Sequence, residues 1–193
     1  MIKIDEMKEY AKENHVPIMQ DGGIEFLCKT ILENKCQSIL ECGTAIGYSS
    51  IKMANLDSTI TIDTCEIKSN LVIEARKNIA NAGLSNRIHV HECDAAIFQS
   101  DKKYDLIFVD AAKAQYKKYM DHFLGNLNQN GMFVFDNLSF HGMVENPDLA
   151  TNRNTKQLVK KIKKFVEYIC NDPNLETHFY PNLGDGVAIV KLK

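Results

Sequence analysis

Short apolar runs alternate with amphipathic stretches along the chain. QSILECG (37–43), TITIDTCEI (59–67), RIHVHECD (87–94), YDLIFVDA (104–111) and GMFVFDN (131–137) read as strands. The spacing predicts helices over 3–14, 21–34, Tyr48–Leu56, Ser69–Ala82, Tyr116–Leu127 and Asn154–Cys170. The Ser69–Ala82 helix runs into Gly83, which suits a C-cap. Near the end, THFYPN and GVAIVKLK form two more strands, joined around Leu183-Gly184-Asp185-Gly186.

Strands alternating with helices predict an α/β fold whose mainly parallel sheet is covered on both faces. The close spacing of the last two strands predicts an antiparallel addition to it. In such a sheet, ligands sit beyond the carboxyl ends of the strands, so the chemistry should collect there. A length of 193 residues favours one domain, 1–193, with residues 1–35 as a helical cap ahead of the first strand.

Composition narrows the classes. A formal charge of −2 argues against a protein that coats nucleic acid over its whole surface and leaves room for a local basic patch. No apolar run is long enough to span a membrane. MIKIDEMKEYAKENH lacks the apolar centre of a signal peptide. The six cysteines contain no C-x-x-C pair and mostly lie in apolar runs, as reduced thiols of a cytoplasmic protein would.

The stretch ILECGTAIGYSS (39–50) runs from a strand through a glycine turn into a helix. Gly43 and Gly47 permit a sharp turn and close approach of a ligand. Neither the G-x-G-x-x-G of a dinucleotide site nor the G-K-[ST] of a triphosphate site is present. A turn of this kind suits a ligand without phosphates, such as S-adenosylmethionine. Glu66 closes the next strand, at a distance right for a carboxylate that grips ribose hydroxyls. Asp94, followed by Ala95, closes the third, where an acid can accept from an adenine amino group.

Asp110 and the pair Asp136-Asn137 close two further strands and should meet at one sheet edge. Two carboxylates and an amide oxygen are hard ligands that suit Mg²⁺ or a similar cation. The alternative is an Asp110 that caps a turn and an Asx-turn at Asp136, but two carboxylates held together without a cation repel. Lys113, three residues after Asp110, could orient or take a proton from an acceptor hydroxyl; a neighbouring divalent cation favours its neutral form. A surface lysine is the competing reading. This chemistry amounts to methyl transfer from a sulfonium to an acceptor oxygen, aligned by proximity and activated by a metal.

ECGTAIGYSS, CEI, ECDA, FVDAAKAQY, FDN and GDGVAIVK, in that order, resemble the Mg²⁺-dependent O-methyltransferases of the catechol and caffeoyl-CoA type over nearly the whole chain. The resemblance implies a Rossmann-like methyltransferase fold with a seven-stranded sheet and an antiparallel C-terminal strand. It implies cofactor contacts at Gly43, Tyr48, Ser49, Glu66, Asp94, Ala95 and Asp110. Metal ligation falls to Asp110, Asp136 and Asn137 (Mg²⁺ or Mn²⁺), with catalysis by Lys113 and Asp110. Cys42 and Ala112 stand where many relatives have an aliphatic residue and an aspartate. Within the family, YAKENHVPIM, VDAAKAQY and DNLSFHGMV resemble the branch that methylates 5-hydroxyuridine at the tRNA wobble position. That likeness implies that Met19 helps cover the cofactor and that the protein is a homodimer acting on a tRNA anticodon loop; catechol-like small molecules are the alternative acceptor.

One feature of the chain itself bears on an RNA partner. Between Thr151 and Val166 lie Arg153, Lys156, Lys160, Lys161, Lys163 and Lys164 with no acid among them. Leu158, Ile162, Phe165 and Ile169 recur at helical spacing and should face the core, turning Lys160, Lys161 and Lys164 outward. Such a face can contact phosphates, although a solvated lysine face is its usual meaning. Phe140 and His141 could line or stack on an acceptor; for Tyr116 and Tyr119 ordinary packing is expected.

Overall fold

The structure, a computed structural model, describes residues 4–193. Two helices, α1 (Ile4–Glu13) and α2 (Asp21–Glu33), precede β1 (Ser38–Cys42). Then follow α3 (Tyr48–Ala54), β2 (Thr61–Glu66), α4 (Ser69–Asn81), β3 (Ile88–Glu92) and β4 (Tyr104–Val109). The chain continues through α5 (Tyr116–Phe123), β5 (Leu127–Phe135), α6 (Arg153–Asn171), β6 (Leu175–Tyr180) and β7 (Val187–Leu192). The first residue of the helix predicted over 3–14 lies outside the described residues, as do the first three residues of the predicted domain.

Among the described residues, seven strands form one sheet in the order β3-β2-β1-β4-β5-β7-β6. β1 pairs in parallel with β2 and β4, β2 with β3, and β4 with β5. Only β7 runs against its neighbours, pairing antiparallel with both β5 and β6. The C-terminal hairpin therefore enters the sheet with its second strand inward. The strand order reverses between β1 and β4, and a ligand crevice opens at such a point.

Alternate residues of each central strand serve opposite faces. Ile39, Ile62, Leu106, Phe108 and Val134 join Ile24, Leu27, Ile51 and Ile79 from α2, α3 and α4 in one core layer, to which Met7 of α1 also belongs. Leu40, Ile107, Val109, Phe133 and Phe135 join Tyr116, Phe123, Ile162, Phe165 and Ile169 from α5 and α6 in the other. Because both faces are covered, these strands are almost continuously apolar.

Three local expectations are corrected. The helix predicted over Tyr116–Leu127 ends at Phe123, gives way to a 3₁₀ turn at Leu124–Asn126, and leaves Leu127 as the first residue of β5. β5 therefore begins before Gly131, and its register against β4 shifts between Tyr104 and Leu106. In α6 the buried stripe is Val159, Ile162, Phe165 and Ile169, with Leu158 only half-buried. The Asn152 side chain accepts from the Thr155 N–H at 2.8 Å and starts this helix one residue early. Gly83 follows α4 at φ 73°, and the next amide, Leu84, bonds back to Ile79 O, closing the helix as expected. Among the described residues all six cysteines are free, and no helix is long and apolar enough to cross a membrane.

Candidate active site

A cleft of about 590 Å³ opens at the carboxyl ends of β1, β2, β3 and β4. Its walls include Met19, Gly43, Tyr48, Ser49, Glu66, Asp94, Ala95, Asp110, Lys113 and Asn137. Every residue singled out in the sequence for the cofactor is therefore on one surface.

Backbone bonds between strand ends build the floor. Gly43 N and Thr44 N donate to Cys65 O at 3.0 and 3.1 Å, and Asp110 N donates to Cys42 O at 2.9 Å. Gly43 has φ 106°, and a Cβ there would lie 2.9 Å from the carbonyl carbon of Asp110, with the carbonyl oxygen nearer still. Glycine is thus required by both conformation and space. Glu66 shapes the adjoining rim: one carboxylate oxygen accepts from Ala45 N, the other from Ile67 N and Lys68 N, each at 3.0 Å. Asp94 accepts from Ala96 N at 2.8 Å. These bonds hold both acids at the strand ends and leave oxygen lone pairs free for hydroxyl or amino donors.

Glu41 belongs to the site although the sequence analysis gave it no role. Its side chain is fully buried beneath the glycine turn and accepts from Ser49 Oγ, Ser50 Oγ and, at 2.6 Å, Thr64 Oγ1. Burial raises its carboxyl above the ordinary range, and the three hydroxyl bonds offset part of that rise. Glu41 pins the start of α3 to β1 and β2. Ser49, expected only as a cofactor contact, is also one of its anchors. A charged residue inside the apolar run SILEC was the available signal.

At the other end of the cleft, β4 and β5 lie side by side, with Val109 opposite Phe135. Lys113 Nζ donates to Asn137 Oδ1 at 2.7 Å and lies 3.9 Å from Asp110 Oδ1. Asp136 lies behind this surface, 2% exposed, and accepts from Asn137 N at 2.7 Å. Burial and the neighbouring Asp110 charge push the Asp136 carboxyl up to about 7. Burial raises Asp110 as well, against the opposing pull of Lys113. A third acid, Asp185, is 6% exposed, and its charge adds to both shifts. The sequence analysis gave Asp185 a place in a turn and in the GDGVAIVK motif but no role, although an acid between two glycines was a usable signal.

Among the described residues, no group of three or more His, Cys, Asp or Glu side chains is arranged to hold a metal ion. The set expected from the sequence has two carboxylates and an amide, and its surroundings are short of positive charge. The charges of Asp110, Asp136 and Asp185 act on one another, and Lys113 is the cation that opposes them at Asp110 and Asp136. Hard oxygen donors in an electron-rich, partly buried corner fit a divalent cation.

Tyr116 is core: its hydroxyl donates to Asp136 O at 2.7 Å. Tyr119 is buried and touches the cleft wall. His141 lines the cleft with its side chain 67% exposed, whereas Phe140 leans on the second core layer. The residues Arg153, Lys156, Lys160, Lys161 and Lys164 are all exposed on α6.

A profile described as O-methyltransferase matches residues 2–193, the whole length apart from Met1. The chain belongs to the O-methyltransferase family. It is an S-adenosylmethionine-dependent enzyme of the group that includes the caffeoyl-CoA and catechol O-methyltransferases. A crystal structure from Staphylococcus aureus, provisionally named a caffeoyl-CoA O-methyltransferase, superimposes with a TM-score of 0.94 at 34% identity, covering 100% of this chain and 93% of that one. A catechol O-methyltransferase of Niastella koreensis is 32% identical over 84% of this chain and 77% of its own length. An O-methyltransferase from Bacillus cereus, crystallised with S-adenosylhomocysteine, shares the fold: TM-score 0.82, 24% identity, 98% and 90% of the two chains covered.

Proposed function

We propose that this O-methyltransferase uses a divalent cation to methylate 5-hydroxyuridine at the wobble position of tRNA, giving 5-methoxyuridine. The observation that carries the reading is the division of one cleft into two chemistries, with an exposed basic helix following the loop after Asn137. Glu66 and Asp94 would hold the cofactor's ribose and adenine, with Gly43, Tyr48, Ser49, Ala95 and Met19 around them. Asp110, Asp136 and Asn137 would hold Mg²⁺ or Mn²⁺. S-Adenosylmethionine supplies a methyl group already activated on a sulfonium. The cation, when bound, supplies Lewis acidity that favours a deprotonated acceptor oxygen.

The chain's own residues do the rest. Lys113, at the mouth of the acidic corner, accepts or orients the acceptor proton. The packed strand ends fix acceptor and methyl donor in line. The buried floor beneath Gly43 keeps water from one side of the reaction.

The RNA reading rests on α6 and on the resemblance of VDAAKAQY and DNLSFHGMV to tRNA-acting relatives. α6 follows the loop after Asn137, its Phe165 packs on Tyr116 and Phe135 just behind the acidic corner, and its Arg153, Lys156, Lys160, Lys161 and Lys164 are exposed. An anticodon-loop base is unpaired, so turning it into the cleft costs little, and His141 is placed to line it. The second reading, a catechol-like small molecule, is favoured by the Niastella koreensis relative.

Nucleoside mass spectrometry of tRNA from a strain lacking the protein separates the two. Loss of 5-methoxyuridine with accumulation of 5-hydroxyuridine is the expected result. Unchanged 5-methoxyuridine refutes the RNA reading.

A further inference from the structure

We propose that Asp185, resting on the metal-dependent reading above, is a positioning residue that sets the amide of Asn137 and the imidazole of His141 at the acceptor end of the cleft.

The loop after β5 is shaped from outside. Asn137, Phe140, His141 and Gly142 have φ of 56°, 45°, 58° and 73°. Three of these four residues carry a Cβ, for which the left-handed region is unfavourable. A conformation of that kind persists only when its surroundings determine it. The turn between β6 and β7 does so. Leu138 N donates to Gly186 O at 2.9 Å, Ser139 N to Asp185 O at 2.8 Å, and His141 N to Asp185 Oδ1 at 2.5 Å. Gly186 must be glycine, because a Cβ there would lie 2.9 Å from the Cβ of Ser139 and nearer still to its amide nitrogen.

The second carboxylate oxygen of Asp185 faces Asn137. It accepts from Asn137 Nδ2 at 3.4 Å and stands 3.8 Å from His141 Nδ1. Asp185 is buried, lines the cleft, and among the described residues pairs with no lysine or arginine. Burying an acid beside two others is unfavourable unless its hydrogen bonds compensate. An ionised carboxylate can only accept, and an amide has one donor end and one acceptor end. Asp185 therefore takes the Asn137 N–H₂ and turns Oδ1 towards Lys113 and Asp110, where a cation needs an oxygen.

This gives a discriminating substitution. In Asp185→Asn the new side chain can still accept from His141 N, so the loop keeps its anchor. Its own N–H₂ then faces the N–H₂ of Asn137. Relief requires Asn137 to rotate its amide and present nitrogen to the acidic corner. Adding Asn137→Asp removes the conflict, because a carboxylate at position 137 accepts from the introduced amide and still offers oxygen to the ion.

The test uses the full-length protein. Mn²⁺ binding is followed by electron paramagnetic resonance, S-adenosylhomocysteine binding by calorimetry, and folding by thermal unfolding. Asp185→Asn weakens Mn²⁺ binding by roughly tenfold or more, the usual effect of removing an outer partner of a metal ligand. S-Adenosylhomocysteine affinity stays within about twofold, because β2 lies four strand spacings, roughly 19 Å, from β7. The double variant Asn137→Asp/Asp185→Asn recovers Mn²⁺ affinity to within about threefold of the parent. Mn²⁺ binding by folded Asp185→Asn within about twofold of the parent overturns the assignment, as does a double variant no better than the single one. A parent protein that binds S-adenosylhomocysteine but no Mn²⁺ overturns the metal reading itself and this inference with it.

Discussion

Replacing Gly43 with alanine tests the floor of the cleft. The residue has φ 106° and its missing Cβ would sit 2.9 Å from the Asp110 carbonyl carbon. Ordinary carbon contacts lie at about 3.5–4.0 Å, so the ends of β1 and β4 must part by roughly 1 Å. The unfavourable conformation costs on the order of 1–2 kcal/mol. Weakening the bonds from Gly43 N to Cys65 O and from Asp110 N to Cys42 O adds about 1–2 kcal/mol. A total of about 2–4 kcal/mol lowers the melting temperature of a chain this size by roughly 5–12 °C. The same shift of roughly 1 Å carries Asp110 out of place, and misplacements of that size cost about 100-fold in rate. Gly47→Ala is the matched control. Its φ is 83°, but a Cβ there meets Ile79 at an ordinary 3.5 Å, so it bears the conformational cost alone. Calorimetric unfolding and single-turnover methyl transfer from labelled S-adenosylmethionine measure both effects. A Gly43→Ala protein melting within about 2 °C of the parent, with turnover within about threefold, would refute the close-packed floor.

Three further substitutions probe separate parts of the molecule. Glu41 has a folded pKa above its unfolded value of about 4.3, so charging it erodes stability as pH rises from there to the folded pKa. Glu41→Gln should therefore gain stability relative to the parent as pH rises above about 4.3; a pH-independent difference in calorimetry contradicts this. Burial alone would raise Asp63, but hydrogen bonds from Lys102 at 2.7 Å and His91 at 2.8 Å outweigh it and hold the carboxyl below its usual range. The stability it contributes is present above about pH 3.9 and lost as pH falls through the lower folded value. Asp63→Asn should cost about 1–3 kcal/mol at pH 7 and progressively less in acid, measured by urea unfolding at each pH; an equal cost at about pH 2 and pH 7 argues against the network. Reversing Lys160 and Lys164 to glutamate should weaken tRNA binding and lower its salt slope by roughly one unit for each phosphate no longer neutralised. Unchanged binding in a filter-binding assay places the RNA elsewhere.

Most of the fold was legible because its signals are local. The ends of β4 and β5, Leu106–Val109 and Met132–Phe135, are buried on both faces and read as short apolar runs, and each closes on an acid, Asp110 and Asp136. The cofactor side was legible for the same reason: Gly43, Glu66 and Asp94 lie at successive strand ends in chain order. What was not legible depends on distant partners. Asp185 bonds to residues 44 and 48 positions away, so the sequence marks its glycine-flanked turn but not its partners. Glu41 bonds to Ser49, Ser50 and Thr64, which only the βαβ crossover brings beneath the same turn. The end of α5 was overrun because HFLGNL carries apolar residues at helical spacing, while Gly125 and Asn126 let the last turn tighten to 3₁₀ and feed β5 early. Leu158 and Val159 are adjacent apolar residues at the edge of the α6 stripe, and packing against the second core layer decided between them.

The central claim is that Asp110, Asp136 and Asn137 gather around one divalent ion beside the methyl donor. An anomalous difference map from crystals grown with Mn²⁺ and S-adenosylhomocysteine tests it directly. The predicted result is a single strong peak about 2.1 Å from an oxygen of each of the three side chains, with Lys113 displaced from Asn137. A cleft holding S-adenosylhomocysteine, with Lys113 still on Asn137 and no peak among those oxygens, would contradict it.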